Sequence, residues 1–242
     1  MIAVILAAGM ASRLRPLTDH RPKCLLQVGQ RTLLQRTVDA LVANGVDELV
    51  VVTGYRSEMI EDFLKVHYPT LKLHFIHNAD YSSTNNIYSL YLTRERVEGK
   101  PFLLLDSDIL FDPAIIARLL QQPETTLAVN NHELGDEEIK VIVDGQNRIQ
   151  EISKVCSIAD AIGESVGIEK MNADYSAALF TELVPMMEQE RQVNVFYEKA
   201  FERLIPQGYC FTATDTTDLF SIELDTVEDF ERAQELVPAH LY

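Results

Sequence analysis

The sequence predicts an α/β fold in which helices flank a mostly parallel, mixed β-sheet. The first observation is the continuous apolar run IAVILA at residues 2–7, which has the length and composition of a strand buried on both faces. The second is that further apolar runs of strand length alternate with segments of helical periodicity. Because parallel strands need crossover connections, this alternation predicts a sandwich whose ligands bind beyond the carboxyl ends of the strands.

The first half of the chain follows this alternation in a regular order. Apolar side chains recur at helical spacing from Thr32 to Asn44, and Gly45 after them is typical of a helix end. The other predicted elements of this half are a strand in DELVVVTGY at 47–55, a helix at about 57–66, a strand in KLHFIH at 72–77, a helical stretch at 86–96 and a strand in PFLLLDSD at 101–108.

The second half is less regular. Asp112 and Pro113 together indicate a helix start, with the aspartate as cap and the proline in the first turn. EEIKVIVDGQNRIQEISK at 137–154 predicts two strands around an Asp-Gly turn, an antiparallel hairpin that either joins the sheet or forms a small lid. The last predicted elements are helices near 174–190 and 194–205, a strand in DLFSIEL at 218–224 and a helix in DTVEDFERAQELV at 225–237. No repeat or linker interrupts the pattern, so residues 1–242 are interpreted as one domain.

Charge and composition limit the partners of the chain. Its 37 acidic and 21 basic side chains give a net charge of −16, which repels nucleic acid and anionic membranes. The three cysteines are far apart and lack the spacing of a zinc or redox motif, and no segment has the length of a transmembrane helix or a signal peptide. We therefore expect a cytoplasmic protein without nucleic-acid or membrane partners, and a homodimer is compatible with the sequence.

The loop LAAGMASRLRPLTDHRPKCLL at residues 6–26 contrasts with this acidic background. A loop that leaves the end of a parallel strand can direct several backbone N–H groups at an anion, which predicts phosphate binding. The loop also carries four cations: Arg13, Arg15, Arg21 and Lys23. Neither G-x-x-x-x-G-K-[ST] nor G-x-G-x-x-G is present, which argues against a P-loop ATPase and a nicotinamide-dependent dehydrogenase. On the residues alone, an ordinary turn at Gly9 beside solvated cations remains an alternative.

The order of residues in this loop resembles L-A-A-G-x-G-[ST]-R-x-x-P-L-T-x-x-x-P-K, the signature of nucleotidyltransferases that activate sugar phosphates and small phosphorylated alcohols. The resemblance implies a Rossmann-like nucleotidyltransferase sandwich, with a nucleotide-binding half at 1–130 and an acceptor-binding half with the C-terminal helix at 131–242. Ala11 replaces the second glycine of the signature, and its methyl group would alter nucleotide affinity or choice if it crowds the triphosphate. The loop residues implied in nucleotide binding are Leu6, Ala7, Ala8, Gly9, Met10, Ala11, Ser12, Arg13 and Lys23.

Two aspartates, Asp106 and Asp108, follow a buried strand at the predicted ligand-binding edge of the sheet. Side chains two residues apart on an extended strand share a face, so both carboxylates could face one magnesium ion or a ribose. Polar residues that simply end the strand are the alternative. The family resemblance implies that Asp108 is a metal ligand and that Asp106 lies near the nucleoside.

A third aspartate, Asp225, lies in SIELDTVEDF. Its position fits a capping box in which Asp225 caps a helix and Glu228 reaches back to it. The segment also resembles the family pattern E-[IL]-D-[ST]-x-E-D, whose first aspartate completes the metal site, and we favour this interpretation. The resemblance thus implies Mg²⁺ held by Asp108 and Asp225, with Glu223 in support.

The segment NADYSSTNNIYSLYL at 78–92 carries amide and hydroxyl groups that can bind a base edge or a ribose: Asn78, Thr84, Asn85 and Asn86. Thr84 or Asn85 is also suited to cap the following helix. The segment resembles NN-[IF]-Y-S-L-Y-L of the phosphocholine cytidylyltransferase branch and its aminoethylphosphonate relatives. This resemblance implies CTP as the nucleotide.

The second half of the chain is expected to bind the acceptor. ISKVCSIADAIGESVGIEKM resembles the lysine-bearing strand and Glu-x-x-Gly segment of the family, which implies that Lys154 binds the acceptor phosphate and Glu164 its polar end. VNVFYEKAF aligns with a segment of adjacent aromatic residues and an acid, so Phe196, Tyr197 and Glu198 would surround an ammonium group. An ordinary amphipathic helix is the alternative for this segment, and an acceptor without a cationic head remains open.

The predicted reaction joins CTP to a small phosphorylated or phosphonylated acceptor, of the phosphocholine or 2-aminoethylphosphonate type, and releases pyrophosphate. Arg13 holds the leaving phosphates, Lys23 neutralises the reacting α-phosphate, and Mg²⁺ bridges the triphosphate. Two alternatives are kept. One is a guanylyl- or uridylyltransferase acting on a sugar 1-phosphate or a pterin cofactor, and the other is a non-catalytic nucleotide-sensing domain.

Overall fold

A computed structural model describes residues 1–241, apart from the side chain of His240, and shows a large mixed sheet with helices on both faces. The strands are β1 Ile2–Ala7, β2 Gln27–Val28, β3 Arg31–Thr32, β4 Glu48–Thr53, β5 Lys72–His77, β6 Phe102–Asp106, β7 Ile109–Phe111, β8 Thr126–Asn130, β9 Lys140–Val143, β10 Ile149–Ser153, β11 Gly163–Met171, β12 Thr212–Asp215 and β13 Ser221–Glu223. The helices are α1 Leu33–Ala43, α2 Ser57–His67, α3 Asn86–Leu92, α4 Arg94–Val97, α5 Ala114–Leu120, α6 Ala173–Glu188, α7 Glu198–Leu204 and α8 Val227–Leu236.

The main path of the sheet has the strand order β10-β9-β11-β6-β1-β4-β5. β1 lies inside the sheet and pairs in parallel with both β4 and β6, so the carboxyl ends of these three strands meet at one edge. β11 runs antiparallel to β6, and β8 pairs with β11 and with β12. The α/β fold with a mixed sheet and flanking helices is therefore confirmed. The predicted hairpin, β9 and β10, belongs to this sheet and does not form a separate lid.

The core has two large apolar layers, one on each face of the sheet, and a smaller apolar cluster beneath α8. Along β1, Val4 and Leu6 face one layer with α3, α6 and α7, while Ala3 and Ile5 face the other with α1, α2 and α5. All four side chains are buried. Because successive side chains of a strand point to opposite faces, a strand between two helical layers has to be apolar throughout. This requirement explains the unbroken run IAVILA.

Two helices differ from the sequence prediction. The stretch at 86–96 divides at Thr93, whose hydroxyl group donates to the carbonyl oxygen of Leu90 (2.7 Å) and closes α3 before α4 begins. The helix predicted at 194–205 begins at Glu198, because the N–H of Tyr197 donates to Oδ1 of Asn86 (3.0 Å) and holds the preceding segment against α3. Within residues 1–241, no helix combines the length and hydropathy of a membrane span.

Candidate active site

A cleft of about 920 Å³ opens beyond the carboxyl ends of the central parallel strands. It is lined by nearly every residue that the sequence predicts for the site: Leu6, Ala7, Ala8, Gly9, Met10, Ala11, Ser12, Arg13, Lys23, Asn78, Thr84, Asn85, Asn86, Asp106, Asp108, Lys154, Glu164, Phe196, Glu198 and Asp225. Tyr197 is the exception and lies beneath the cleft. The two halves of the chain therefore meet at one concave surface, at the edge where an α/β sheet binds ligands.

The glycine loop turns sharply after β1 and leads into a short 3-10 helix at Ser12–Leu14. Gly9 has open space around its Cα, as expected where a backbone faces a ligand cleft. Ala11 adopts the left-handed conformation, with φ 47° and ψ 53°. Its carbonyl oxygen accepts hydrogen bonds from Leu14 N–H (3.1 Å) and from the hydroxyl group of Thr18 (2.9 Å). The alanine thus occupies a conformation that favours glycine, and hydrogen bonds hold it there.

Lys23 is the buried cation of the cleft. Lys23 follows Pro22 and begins a second 3-10 helix, Lys23–Leu25, and the residue is only 8% exposed. The ammonium group donates to Oδ2 of Asp108 (2.9 Å) and to Oδ1 of Asp225 (2.8 Å). Burial by itself lowers the pKa of Lys23, but the two carboxylates outweigh it, so the pKa is raised overall. The amine therefore stays charged.

Arg13 is the second cation that reaches the cleft, and its guanidinium group lies 2.5 Å from Oδ2 of Asp225. Burial raises the pKa of Asp225, but the positive charges of Lys23 and Arg13 lower it by more, so the pKa is lowered overall. Arg15 is instead exposed and pairs with Asp19 (3.5 Å). Arg21 lines a shallow neighbouring depression. The four cations of the loop are thus divided between the cleft and the outer surface.

Three carboxylates form an acidic cluster at this end of the cleft: Asp108, Glu223 and Asp225, each with one oxygen within 4.8 Å of an oxygen of the others. A small antiparallel ladder between β7 and β13 brings them together, because Glu223 is registered with Ile109 and the N–H of Leu224 donates to the Asp108 carbonyl oxygen (3.0 Å). Oδ1 of Asp108 is buried without a hydrogen-bond partner. Glu223 is exposed at the cleft, but desolvation by the surrounding protein, and then the charges of the two aspartates, raise its pKa to about 8.

Asp225 is not needed for helix capping. Thr226 caps α8, and a reciprocal capping box joins Thr226 to Asp229: the Asp229 N–H donates to the threonine hydroxyl (3.1 Å), and the Thr226 N–H donates to the aspartate (2.9 Å). The capping box thus lies one residue later than the sequence alternative placed it. Asp225 is left to interact with Lys23 and Arg13.

The polar residues at the other end of the cleft differ in the hydrogen-bonding groups that they leave for a ligand. Both polar atoms of the Asn78 amide already have partners, since Nδ2 donates to Thr84 and Ser89 and Oδ1 accepts from the N–H of Asp80. Oδ1 of Asn85 caps α3 by accepting from Asn86 N–H (2.7 Å). Asn86 uses its Oδ1 for Tyr197 N–H, which leaves its NH₂ group for a ligand.

The predicted acceptor residues form a mixed wall. The ammonium group of Lys154 lies 5.0 Å from the ring centroid of Phe196 and 3.2 Å from a carboxylate oxygen of Glu137. Glu164 lies 2.6 Å from Nε2 of His132, a residue that the sequence did not single out because an isolated histidine in a polar loop carries no spacing signal. Burial raises the pKa of Glu198 to about 7, and its Oε2 has no hydrogen-bond partner.

The prediction that Tyr197 surrounds the acceptor needs correction. Its side chain is fully buried, whereas the preceding Phe196 is 41% exposed and lines the cleft. The Tyr197 hydroxyl group lies 2.9 Å from Oδ2 of Asp106 and 3.2 Å from Oε1 of Glu169. The N–H of Tyr197 donates to Asn86 at the start of α3, so the ring points beneath the cleft and away from the acceptor wall.

Residues 3–162 match the MobA-like NTP transferase domain family. The chain belongs to this family. Membership agrees with the nucleotidyltransferase resemblance of the glycine loop, and it assigns the protein to the nucleotidyltransferases. The matched range covers the loop with Arg13 and Lys23, the strand that ends at Asp106 and the hairpin of β9 and β10.

Two curated relatives are similar over part of the chain. The CMP-5'-(3-aminopropyl)phosphonate synthase of Streptomyces rubellomurinus is 38% identical over 54% of this chain and 21% of that protein. The choline-phosphate cytidylyltransferase of Streptococcus pneumoniae is 37% identical over 45% of this chain and 44% of that protein. The matched region is thus less than half the length of either relative.

Solved structures share the fold over almost the whole chain. A CTP:phosphocholine cytidylyltransferase from Streptococcus pneumoniae superimposes with a TM-score of 0.80 at 23% identity, over 98% of this chain and 99% of that chain. The inositol-1-phosphate CTP transferase from T. maritima gives a TM-score of 0.78 at 21% identity, over 97% of this chain and 94% of that chain. These similarities confirm the Rossmann-like nucleotidyltransferase sandwich.

Proposed function

We propose that this nucleotidyltransferase is a cytidylyltransferase that transfers CMP from CTP to a small phosphorylated or phosphonylated acceptor. The observation that carries the proposal is the convergence of Lys23 and Arg13 on Asp108 and Asp225, which form an acidic cluster with Glu223 at one end of the cleft. Such a site can neutralise a triphosphate without a protein nucleophile. The partial similarity to a choline-phosphate cytidylyltransferase and to a CMP-aminopropylphosphonate synthase supports CTP as the nucleotide.

Residues 1–130 supply most of the nucleotide site. The backbone of the glycine loop and Arg13 bind the β- and γ-phosphates, and Lys23 neutralises the α-phosphate as the acceptor attacks. At the nucleoside end, the free NH₂ group of Asn86 suits acceptors such as O2 and N3 of cytosine. Asp106 faces the same end of the cleft and is proposed to contact the ribose.

The acidic cluster fits a magnesium ion. Mg²⁺ prefers carboxylate oxygens, and here three carboxylates lie together with a buried oxygen of Asp108 that lacks a partner. Asp108 and Asp225 are the proposed ligands, with Glu223 beside them. When bound, the ion supplies Lewis-acid neutralisation of the phosphates.

The acceptor oxygen is the nucleophile. A phosphate monoester has a second pKa of about 6, so it is largely dianionic near neutral pH and needs no base from the protein. Its attack forms a new bond to the α-phosphorus, the bond from that phosphorus to the bridging oxygen breaks, and pyrophosphate leaves. The protein contributes alignment of the two substrates and charge neutralisation.

Residues 131–242 supply the acceptor site and, through Asp225, one acid of the metal site. Lys154 binds the acceptor phosphate or phosphonate, and Glu164 and Glu198 provide negative charge for an amine at the other end. Phe196 offers the aromatic surface. With Tyr197 withdrawn from the cleft, the ammonium site that we propose consists of one aromatic residue and these acids.

Pyrophosphate release tests the proposal. The purified protein with Mg²⁺ is assayed with CTP, UTP, GTP and ATP against phosphocholine, 2-aminoethylphosphonate, phosphoethanolamine, glycerol phosphate and inositol phosphate. We expect turnover with CTP and at least one of these acceptors, at a kcat/KM at least about tenfold above the other nucleotides, which corresponds to about 1.4 kcal/mol of discrimination. A preference for GTP or UTP would instead support the sugar-phosphate or pterin alternatives, and nucleotide binding without turnover would support a sensor.

Two exposed arginines of the same loop provide a matched control. Arg13→Ala removes a cation that lines the cleft, whereas Arg15→Ala removes one that points away from it. We expect KM for CTP to rise in the Arg13 variant only. Equal effects of the two substitutions would contradict the placement of the triphosphate.

A further inference from the structure

The Tyr197 hydroxyl group lies between two carboxyl groups under the floor of the cleft. Its oxygen is 2.9 Å from Oδ2 of Asp106 and 3.2 Å from Oε1 of Glu169. Both Tyr197 and Glu169 are fully buried, and Oε2 of Glu169 has no hydrogen-bond partner. Neither residue touches the cleft, so direct contact with a substrate does not explain them.

The two hydrogen bonds need more protons than the tyrosine can supply. A phenol has one O–H, and an ionised carboxylate can only accept. One O–H cannot donate fully to two carboxylates, so both contacts are best satisfied when one of the two carboxyl groups is protonated and donates to Tyr197.

Glu169 is the carboxyl group that holds the proton. It is completely enclosed, whereas Asp106 is partly exposed at the cleft and can interact with solvent or ligand. Burial above all, together with the nearby charges of Asp106 and Glu198, raises the pKa of Glu169 well above its usual value. Burial, and then the charge of Asp108, also raises the pKa of Asp106, so the assignment of the proton rests on the enclosure of Glu169 and the exposure of Asp106. The direction of donation then runs from Glu169 to Tyr197 and from Tyr197 to Asp106.

Tyr197 also holds a second group of the nucleoside end. Its backbone N–H donates to Oδ1 of Asn86 (3.0 Å), while its hydroxyl group donates to Asp106. Asp106 ends β6 and Asn86 begins α3, so one buried residue connects two separate elements that face the cleft. Packing against Phe201, at a ring-centroid distance of 5.3 Å, restrains the tyrosine ring.

We propose that Tyr197 and protonated Glu169 form a positioning relay that orients the Asp106 carboxylate toward the nucleoside. The relay rests on the proposed function, because it acts on a residue assigned there to the nucleotide. Glu169 and Tyr197 are positioning residues and do not contact the reacting atoms. The two hydrogen bonds of its hydroxyl group explain why the segment around Tyr197 has a tyrosine that turns away from the acceptor wall.

A double-mutant cycle tests the relay. Tyr197→Phe removes the hydroxyl group, and we expect KM for CTP to rise about 10-fold or more, as for loss of a hydrogen bond to a charged group, with KM for the acceptor changed less than about twofold. In the Asp106→Asn background the same substitution should have little further effect, because the relay acts through Asp106. Glu169→Gln should recover most of the affinity that Glu169→Leu loses, since a glutamine NH₂ group can still donate to Tyr197.

Tyr175→Phe is the matched control, because it removes another buried tyrosine hydroxyl group that has no hydrogen-bond partner. The infrared spectrum gives a readout independent of activity: at neutral pH the carbonyl stretching band of protonated carboxyl groups should lose intensity in Glu169→Gln relative to the wild type, while the intensity expected from Glu198 and Glu223 remains. Multiplicative effects of Tyr197→Phe and Asp106→Asn, or an infrared band unchanged by Glu169→Gln, would overturn the relay. Absence of CTP turnover in the wild type would overturn the proposed function instead, and the infrared result would still stand on its own.

Discussion

Substitution of Lys23 by methionine should weaken catalysis and strengthen metal binding at the same time. In the free protein the ammonium group forms short ion pairs with Asp108 (2.9 Å) and Asp225 (2.8 Å), the carboxylates that we assign to Mg²⁺. A divalent cation therefore has to compete with Lys23 for them. Methionine keeps an unbranched side chain of similar length but has no charge, so Lys23→Met removes the competitor.

The magnitude follows from the two contacts. A hydrogen bond to a charged group contributes about 1.5–3 kcal/mol net, and about 1.4 kcal/mol corresponds to a factor of ten in affinity. If binding of Mg²⁺ displaces the ammonium group from one carboxylate, the variant should bind the ion about 10- to 100-fold more tightly than the wild type. Turnover should fall about 10²- to 10³-fold, as for loss of one preorganised group that stabilises developing charge.

Calorimetric titration of Mg²⁺ into the nucleotide-free protein measures the first effect, and pyrophosphate release measures the second. Lys170→Met is the control: Lys170 is also buried, but its ammonium group donates to the backbone carbonyl oxygen of Gln122, away from the cleft. We expect that control to change neither readout by more than about twofold, a difference of about 0.4 kcal/mol. Mg²⁺ affinity that is unchanged or weaker in Lys23→Met would refute the competition, and near-normal turnover would refute the role of Lys23 at the α-phosphate.

Three further predictions address the metal, the loop and a buried acid. Asp108→Asn should lower Mg²⁺-dependent pyrophosphate release by at least about 10²-fold while circular dichroism stays native, because one charged ligand is lost from a partly exposed position; activity within tenfold of the wild type would contradict this role. Ala11→Gly should raise the free energy of unfolding by between zero and about 1.5 kcal/mol in urea titration, because relief of the left-handed conformation (about 1–2 kcal/mol) exceeds the added entropy of the unfolded chain (about 0.4–1 kcal/mol), and a clear loss of stability would contradict the strain. The pKa of Glu198 is about 7 in the folded protein, against a usual value of 4.5 that we take for the unfolded chain. Because the folded state binds the proton more tightly, the free energy of unfolding should fall as pH rises from about 4.5 to 7. Because 2.5 pKa units correspond to about 3 kcal/mol, Glu198→Gln should be more stable than the wild type by up to that amount at pH 8 and by less than about 1 kcal/mol at pH 5; a difference independent of pH would contradict the burial effect.

The strands and helices that the sequence predicted correctly have simple burial patterns. β1 and β4 lie between helices on both sides and show unbroken apolar runs, and Thr32 caps α1 by accepting from Gln35 N–H (3.0 Å). β11 was not predicted as a strand, because its nine residues include glutamates and two glycines with positive φ that interrupt any regular alternation. Contacts with other strands explain such residues. A glycine is needed at position 167, for example, because a Cβ there would lie 3.0 Å from Oδ2 of Asp106. Local periodicity carries no signal for such a strand.

Residues that line the cleft were predictable where a local motif marks them, but their pairings were not. Lys23 and Asp225 are separated by 202 residues, and only the ladder of β7 with β13 shows that their side chains meet. Tyr197 shows the limit most clearly, since Phe196 beside it is exposed to the cleft and the aromatic pair gives no sign of which ring turns inward. The hydrogen bond from Tyr197 N–H to Asn86 decides the matter, and that contact joins segments 111 residues apart.

The charge balance of the cleft sharpens the role of the cationic loop. In a chain of net charge −16, the two loop cations that line the cleft are already paired: Lys23 with Asp108 and Asp225, and Arg13 with Asp225. A bare triphosphate would therefore face carboxylates whose positive partners are engaged, and it could recruit Lys23 only by leaving those carboxylates uncompensated. Lys23 and Arg13 become available to phosphates when Asp108 and Asp225 gain another positive partner. With Mg²⁺ assigned to Asp108 and Asp225 as proposed, a nucleotide that arrives with its divalent cation would supply the replacement charge that frees Lys23 and Arg13.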